Sequence, residues 1–94
     1  MTTEVVQDAP QNRFQLMLDG EPVGETDYVI RDNTMTFTHT EIDPNRQEKG
    51  LGGELVRGAL NLVRAETDLR VASTCPFTTA WIERHPDYAD LLTR

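Results

Sequence analysis

From Arg13 to Leu18 the side chains alternate, with Phe14, Leu16 and Leu18 on one side and Arg13, Gln15 and Met17 on the other. This is the two-residue period of a half-buried strand. Asp19 and Gly20 supply a turn, Val23 to Ile30 reads as a second strand, and Asp32 with Asn33 suits the positive φ angles of a tight hairpin. Thr34 to Ile42 reads as a third strand with Met35, Phe37, His39 and Glu41 on one face and threonines on the other, where the branched β-carbon favours extended backbone. After Pro44 the period changes. Leu51, Leu55, Ala59, Leu62 and Val63 recur at helical steps opposite Glu54, Arg57, Asn61 and Arg64, which predicts an amphipathic helix from about Gly52 to Glu66. Leu69 to Thr74 follows as a fourth short strand, and Phe77 to Arg84 as a shorter helix that must stop before Pro86.

Before Asn12 the chain is polar apart from Val5 and Val6, so residues 1–11 are expected as a mobile tail or a frayed first strand, with one domain over residues 12–94. Hairpin-joined strands followed by a strand, helix, strand unit predict an α+β fold: an antiparallel meander leading into a parallel pair, with short C-terminal helices.

The formal charge of -7 on 94 residues argues against a general nucleic-acid binder, because phosphate affinity needs an excess of Lys and Arg. An anionic ligand would have to be held locally. No apolar run reaches the roughly 18 residues of a membrane span. Cys75 is the single cysteine, and the first ten residues lack a basic start and an apolar stretch, so a reduced, cytoplasmic protein is expected.

Between the third strand and the helix stands the segment Gln47, Glu48, Lys49, Gly50, Leu51, Gly52, Gly53. Glycine-rich loops that open a helix bind phosphate through backbone amides that the helix leaves unpaired. A nucleotide triphosphate loop needs Lys then Ser or Thr after its last glycine, where Glu54 and Leu55 stand, and a dinucleotide fingerprint needs glycine at Leu55. A third pattern, Gln or Arg, two residues, Gly, one residue, Gly or Ala, is met by Gln47, Gly50 and Gly52. It resembles the pyrophosphate loop of the GNAT acetyltransferase superfamily. His39, Thr40, Glu41, Ile42 before the loop, and Cys75, Pro76, Phe77 with His85, Pro86, Asp87, Tyr88 after it, resemble the hallmarks of a small single-domain subfamily. The resemblance runs from about Arg13 to Leu92.

It implies an acetyl-coenzyme A site formed by Ile42 and the loop residues Gln47, Glu48, Lys49, Gly50, Leu51, Gly52 and Gly53. The pantetheine arm would lie between the third and fourth strands, and no metal is implied. Glu48 departs from the glycine common in the subfamily, which puts a carboxylate in the loop and predicts weaker coenzyme affinity unless it points to solvent near Arg46 or Lys49. The two helices that wall the acceptor side in the superfamily have no counterpart in this chain.

Acetyl transfer needs a nucleophile at the thioester, a route for its proton and donors for the oxyanion. His39 and Glu41 share a strand face by spacing, and Cys75 ends the neighbouring strand just before a helix start, where the dipole favours a thiolate. Together they can form a Cys, His, acid constellation. Against this, His39 suits the core margin, Glu41 a solvated strand end, and Cys75 a small buried hydrophobe. Tyr88 is a candidate proton donor to departing coenzyme A, or a packing partner of Trp81 and Leu91. Phe77 and Trp81, one helical turn apart, are expected in the core. Two functions stay open: transfer of acetyl from acetyl-coenzyme A to an amine acceptor, assisted by Cys75, or a non-catalytic coenzyme A-binding or interaction module. A fold that binds no coenzyme is the third possibility.

Overall fold

The computed structural model describes residues 2–46 and 48–94. Five strands, β1 (Thr3–Asp8), β2 (Arg13–Leu18), β3 (Glu21–Arg31), β4 (Thr34–Ile42) and β5 (Arg70–Ser73), form one sheet in chain order. The first four are antiparallel and β5 runs parallel to β4, because α1 (Leu51–Glu66) carries the chain back to the starting end. A second helix, α2 (Pro76–Glu83), and a 3-10 helix, Pro86–Thr93, complete the α+β fold.

The hairpin turns follow from residues that tolerate left-handed backbone: Asp19 and Gly20 at φ 50 and 86, Asp32 and Asn33 at φ 52 and 61. β1 and β2 are joined by a 3-10 turn, Ala9–Gln11, that closes through the Asn12 N–H on the Ala9 carbonyl at 3.1 Å. Among the described residues no helix stands between these strands, so the sheet face opposite α1 carries Arg13, Gln15, Glu25 and Asp27 half exposed.

Within the segment expected as a tail or frayed strand, β1 is paired from Thr3 opposite Leu18 to Asp8 opposite Arg13. Its apolar signal is short because an edge strand with one open face needs little more than Val5 to hold it. Val5 sits opposite Leu16 and against Gly58 of α1, where a Cβ would overlap Cγ2 of Val5 and lie 2.7 Å from its Cβ. Strand and helix therefore touch almost backbone to backbone.

α1 lays Leu51, Leu55, Val56, Ala59, Leu60 and Val63 on the inner face of the sheet, against Phe14, Leu16, Tyr28, Met35 and Phe37. Burying a side chain of this size contributes about 1.5–3 kcal/mol. Leu62, expected on the buried stripe, is only half buried, at the margin beside β1. Trp81, Ile82, Tyr88 and Leu91 extend the same core. The Arg94 guanidinium donates to the carbonyls of Val63, Arg64, Thr67 and Leu69 at 2.9–3.4 Å, capping the end of α1.

Gly58→Ala should destabilise the protein by about 1–3 kcal/mol, against the helix propensity of alanine, because a stiff valine fills the space. Denaturant unfolding checks this, and most of the penalty should disappear in a Val5→Ala background.

Candidate active site

β4 pairs with β5 only from Thr34 to Phe37, opposite Arg70 to Ser73, and the Thr74 N–H on the Phe37 carbonyl at 2.9 Å is the last rung. Beyond it β4 runs on to Ile42 while the other strand turns into α2. At the point of separation β4 carries a bulge. Asp27 opposes His39 and Tyr28 opposes Phe37, which leaves Thr38 as the extra residue. One inserted residue inverts every side chain after it.

Met35 and Phe37 are therefore buried, as expected, but His39 and Glu41 turn out to the open face and are exposed. This corrects the face that spacing gave them in common with Met35 and Phe37, while His39 and Glu41 still lie on one side together. Thr40 takes the inward direction instead. Ile42 also turns in, its Cδ1 lying where a Cβ of Gly24 would stand, so its side chain belongs to the core margin.

The inward threonine completes a hydroxyl cluster. Thr26, fully buried, donates to the His39 carbonyl at 3.1 Å and lies 2.9 Å from the Thr40 hydroxyl. Thr40 Oγ1 is 3.2 Å from Thr78 Oγ1 of α2 and 3.5 Å from Cys75 Sγ. Ser73 accepts the Cys75 N–H at 3.2 Å, donates to the Cys75 carbonyl at 3.0 Å and accepts from Thr79 at 2.9 Å, which holds the residue at the head of α2. Burial, at 4 % exposure, pushes the Cys75 thiol up; the Thr78 amide, the Thr40 and Thr78 hydroxyls and the Phe77 amide outweigh it, and the thiol lies below its ordinary value. Thr26 and Thr78 had no place in the sequence reading of the site, and Thr40 entered it only as a member of the motif His39, Thr40, Glu41, Ile42.

Gln47 lies outside the described residues. Glu48 does not point to solvent: Oε1 is 3.7 Å from Arg46 Nη1, which also meets Glu21 at 3.0 Å through Nη2, and Oε2 is buried with no hydrogen-bond partner among the described residues. Lys49 is exposed. Gly50 precedes α1 at φ 82 with nothing within 4 Å of where a Cβ would stand, so left-handed backbone and open space both mark this position. The helical hydrogen bonds start at Glu54 N–H to the Gly50 carbonyl at 3.0 Å, after the amides of Leu51, Gly52 and Gly53.

Gly52 and Gly53 have a packing reason of their own. A Cβ on Gly52 would lie 2.7 Å from Phe77 Cζ, and one on Gly53 3.3 Å from Trp81 Nε1. Trp81 is core, as expected, but Phe77 is 42 % exposed and covers the start of α1. Tyr88 is buried edge-on to Trp81 and donates to Asn61 at 2.7 Å, so its hydroxyl is engaged by the middle of α1. His85 accepts its own structural role, with Nδ1 2.7 Å from the Trp81 carbonyl and its ring stacked on the indole.

On the open face the His39 imidazole donates to Glu41 at 3.1 Å. This bond, beyond the small cost of desolvation, holds the His39 pKa above its usual value, aided by the charges of Glu41 and Asp27. The described contacts do not join His39 to the Cys75 sulfur. Beside the pair, a hollow of about 300 Å³ is lined by Gln15, Glu25, Glu41 and Asp43 among others. A larger hollow of about 500 Å³ lies between β1 and α1 and shares only Glu54 with the first turn of the helix.

The folded pKa of His39 is raised, so the pair stabilises the fold fully below about pH 6.5 and that contribution fades as pH rises through the folded value. Imidazole proton shifts followed by NMR should titrate above the ordinary histidine value of about 6.5 in the wild type and fall back toward it in Glu41→Gln.

No curated protein sequence matches the chain. Among solved structures it is similar to a ribosomal-protein-alanine N-acetyltransferase from Brucella melitensis biovar Abortus 2308, with 14 % identity and a TM-score of 0.53. The match covers 84 % of this chain and 55 % of that one, so this chain spans little more than half of the larger fold. The family model for GCN5-related N-acetyl-transferases, enzymes that use acetyl-coenzyme A as co-substrate, matches residues 13–91. The meander, the glycine loop opening α1 and the parting of β4 from β5 thus belong to a member of the GCN5-related N-acetyltransferase family.

Proposed function

We propose that the chain binds acetyl-coenzyme A and passes its acetyl group to an amine. The observation that carries this reading is the end of β4–β5 pairing at Phe37, with the first amides of α1 and the Cys75 cluster both beside the strand segment left unpaired. The pyrophosphate lies on the amides of the loop that includes Gln47, Glu48, Lys49, Gly50, Leu51, Gly52 and Gly53, where the open space at Gly50 admits it. The pantetheine arm enters along the β4 edge past Ile42, whose backbone is free to meet it while its side chain packs inward.

Cys75 takes the acetyl group in this reading. Its thiolate attacks the thioester carbonyl carbon, a new S–C bond forms, and coenzyme A leaves as a thiolate that gains a proton from solvent. The acceptor amine, having lost one proton to solvent, then attacks the Cys75 thioester, the S–C bond breaks back to thiolate, and the second amine proton passes through solvent to His39, oriented by Glu41 on the open face. The charge of -7 and the carboxylates of Glu25, Glu41 and Asp43 favour a cationic amine as acceptor.

The burial of Cys75 favours the second reading, a coenzyme-binding module in which the thiol only lines the channel. Two measurements test the coenzyme site that both readings share, and a third separates them. Calorimetric titration should show acetyl-coenzyme A and coenzyme A binding in preference to adenosine triphosphate, and equal heats with the triphosphate overturn the loop assignment. Gly50→Val should weaken that binding by more than the roughly 1–2 kcal/mol its left-handed backbone costs in stability. Intact-protein mass spectrometry without acceptor should show one acetyl group on the wild type and none on Cys75→Ala. Turnover without an adduct leaves direct transfer, and neither adduct nor turnover leaves the binding module. Turnover on cationic amines should fall as salt screens the steering.

A further inference from the structure

The bulge at Thr38 brings Thr40, and not His39, to the sulfur of Cys75. We propose, building on the reading of Cys75 as the acetyl-accepting thiol, that Thr40 is a positioning residue whose hydroxyl changes from acceptor to donor as Cys75 ionises. In the thiol state one line of protons satisfies every group. The Cys75 S–H donates to Thr40 at 3.5 Å, Thr40 donates to Thr26 at 2.9 Å, and Thr26 donates to the His39 carbonyl at 3.1 Å.

When the thiol proton leaves to solvent, the Thr40 hydroxyl turns to the sulfur and donates to the thiolate. Thr40 Oγ1 then accepts from Thr78 at 3.2 Å, while Thr26 keeps its bond to the His39 carbonyl. The Thr40–Thr26 bond is given up for a charge-assisted one to the thiolate, the stronger of the two, while each hydroxyl keeps one partner. Because each hydroxyl carries a single proton, Thr78 must be present for Thr40 to make this change.

The other groups facing the sulfur come from α2: the amides of Thr78 and Phe77, and the Thr78 hydroxyl, whose proton goes to Thr40 in the thiolate state. Ser73 of β5 bonds the Cys75 backbone, and His39 of β4 couples to the thiol by charge, with Glu41 and Asp27 acting in turn on His39. Amides are fixed donors in both states. Thr40 is the side chain whose proton can be redirected.

Cys75 is the only cysteine, so thiolate absorbance against pH, with Cys75→Ala as the blank, reads this one group without any coenzyme. Thr40→Val should move the midpoint up by about one pH unit, leaving about tenfold less thiolate at neutral pH. Thr40→Ser should stay within a few tenths of wild type, and Thr78→Val should move in the same direction as Thr40→Val. If the valine does not fold, Thr40→Ala removes the same hydroxyl without the branched carbon. An unchanged midpoint in the valine or alanine variant, or a larger shift from His39→Gln, overturns the proposal. Acetylation of Cys75 at neutral pH should slow about tenfold in Thr40→Val and match wild type once both thiols are ionised. If the midpoints shift as stated but no wild-type adduct forms, the acetyl-accepting role of Cys75 fails and the Thr40 assignment stands.

Discussion

One extra residue in β4 governs the arrangement around it. Up to Phe37 the strand obeys a strict two-residue period and builds the sheet core. At Thr38 the phase inverts, so that the same strand presents a hydroxyl inward and an imidazole outward. Leaving a buried hydroxyl unpaired costs about 1–3 kcal/mol. Thr26, Thr40 and Thr78 escape that cost only because the bulge lets them meet each other, the His39 carbonyl and Cys75. The inversion falls where β4 parts from β5, just beyond Phe37.

Two helix beginnings converge on that opening, and small residues make the convergence geometrically feasible. Phe77 and Trp81 of α2 rest on Gly52 and Gly53 of α1, so the amide-rich end of one helix lies against the first turn of the other. Backbone amides and helix dipoles supply local positive potential in a chain whose side chains sum to -7. Glu48 works against this. Its carboxylate is turned inward beside Arg46, with one oxygen buried and without a hydrogen-bond partner among the described residues, so the loop places a carboxylate where the proposed ligand is anionic.

The open face of the sheet has the opposite character. Arg13 is bracketed by Glu25 and Asp27 at 3.3 and 3.1 Å, and His39 by Glu41, which leaves an acidic surface beside the outward histidine. With a single 3-10 turn between β1 and β2, this surface is not walled by helices. Helix-start amides on one side of β4 and carboxylates on the other suit the proposed reaction of an anionic donor with a cationic acceptor.

Much of this was legible from residue order. The period of two from Arg13 to Ile42, the Asp and Asn turns, the change to a helical period after Gly50 and the stop before Pro86 depend on local backbone chemistry, and the structure places those elements within a residue or two. The glycine loop was legible for the same reason, since left-handed backbone at Gly50 leaves few alternatives. β1 was not, because an edge strand is held by its partner and by the gap at Gly58, neither of which leaves an apolar pattern in the strand. Nor was the facing of His39. Alternation in the segment Thr34 to Ile42 is unbroken as letters, and only the pairing with β3 decides that Thr38 is the residue left over. Residue order thus sets the elements that follow β1 and their succession. Which side chain reaches Cys75 was decided by tertiary structure, because a bulge is a property of two strands in register.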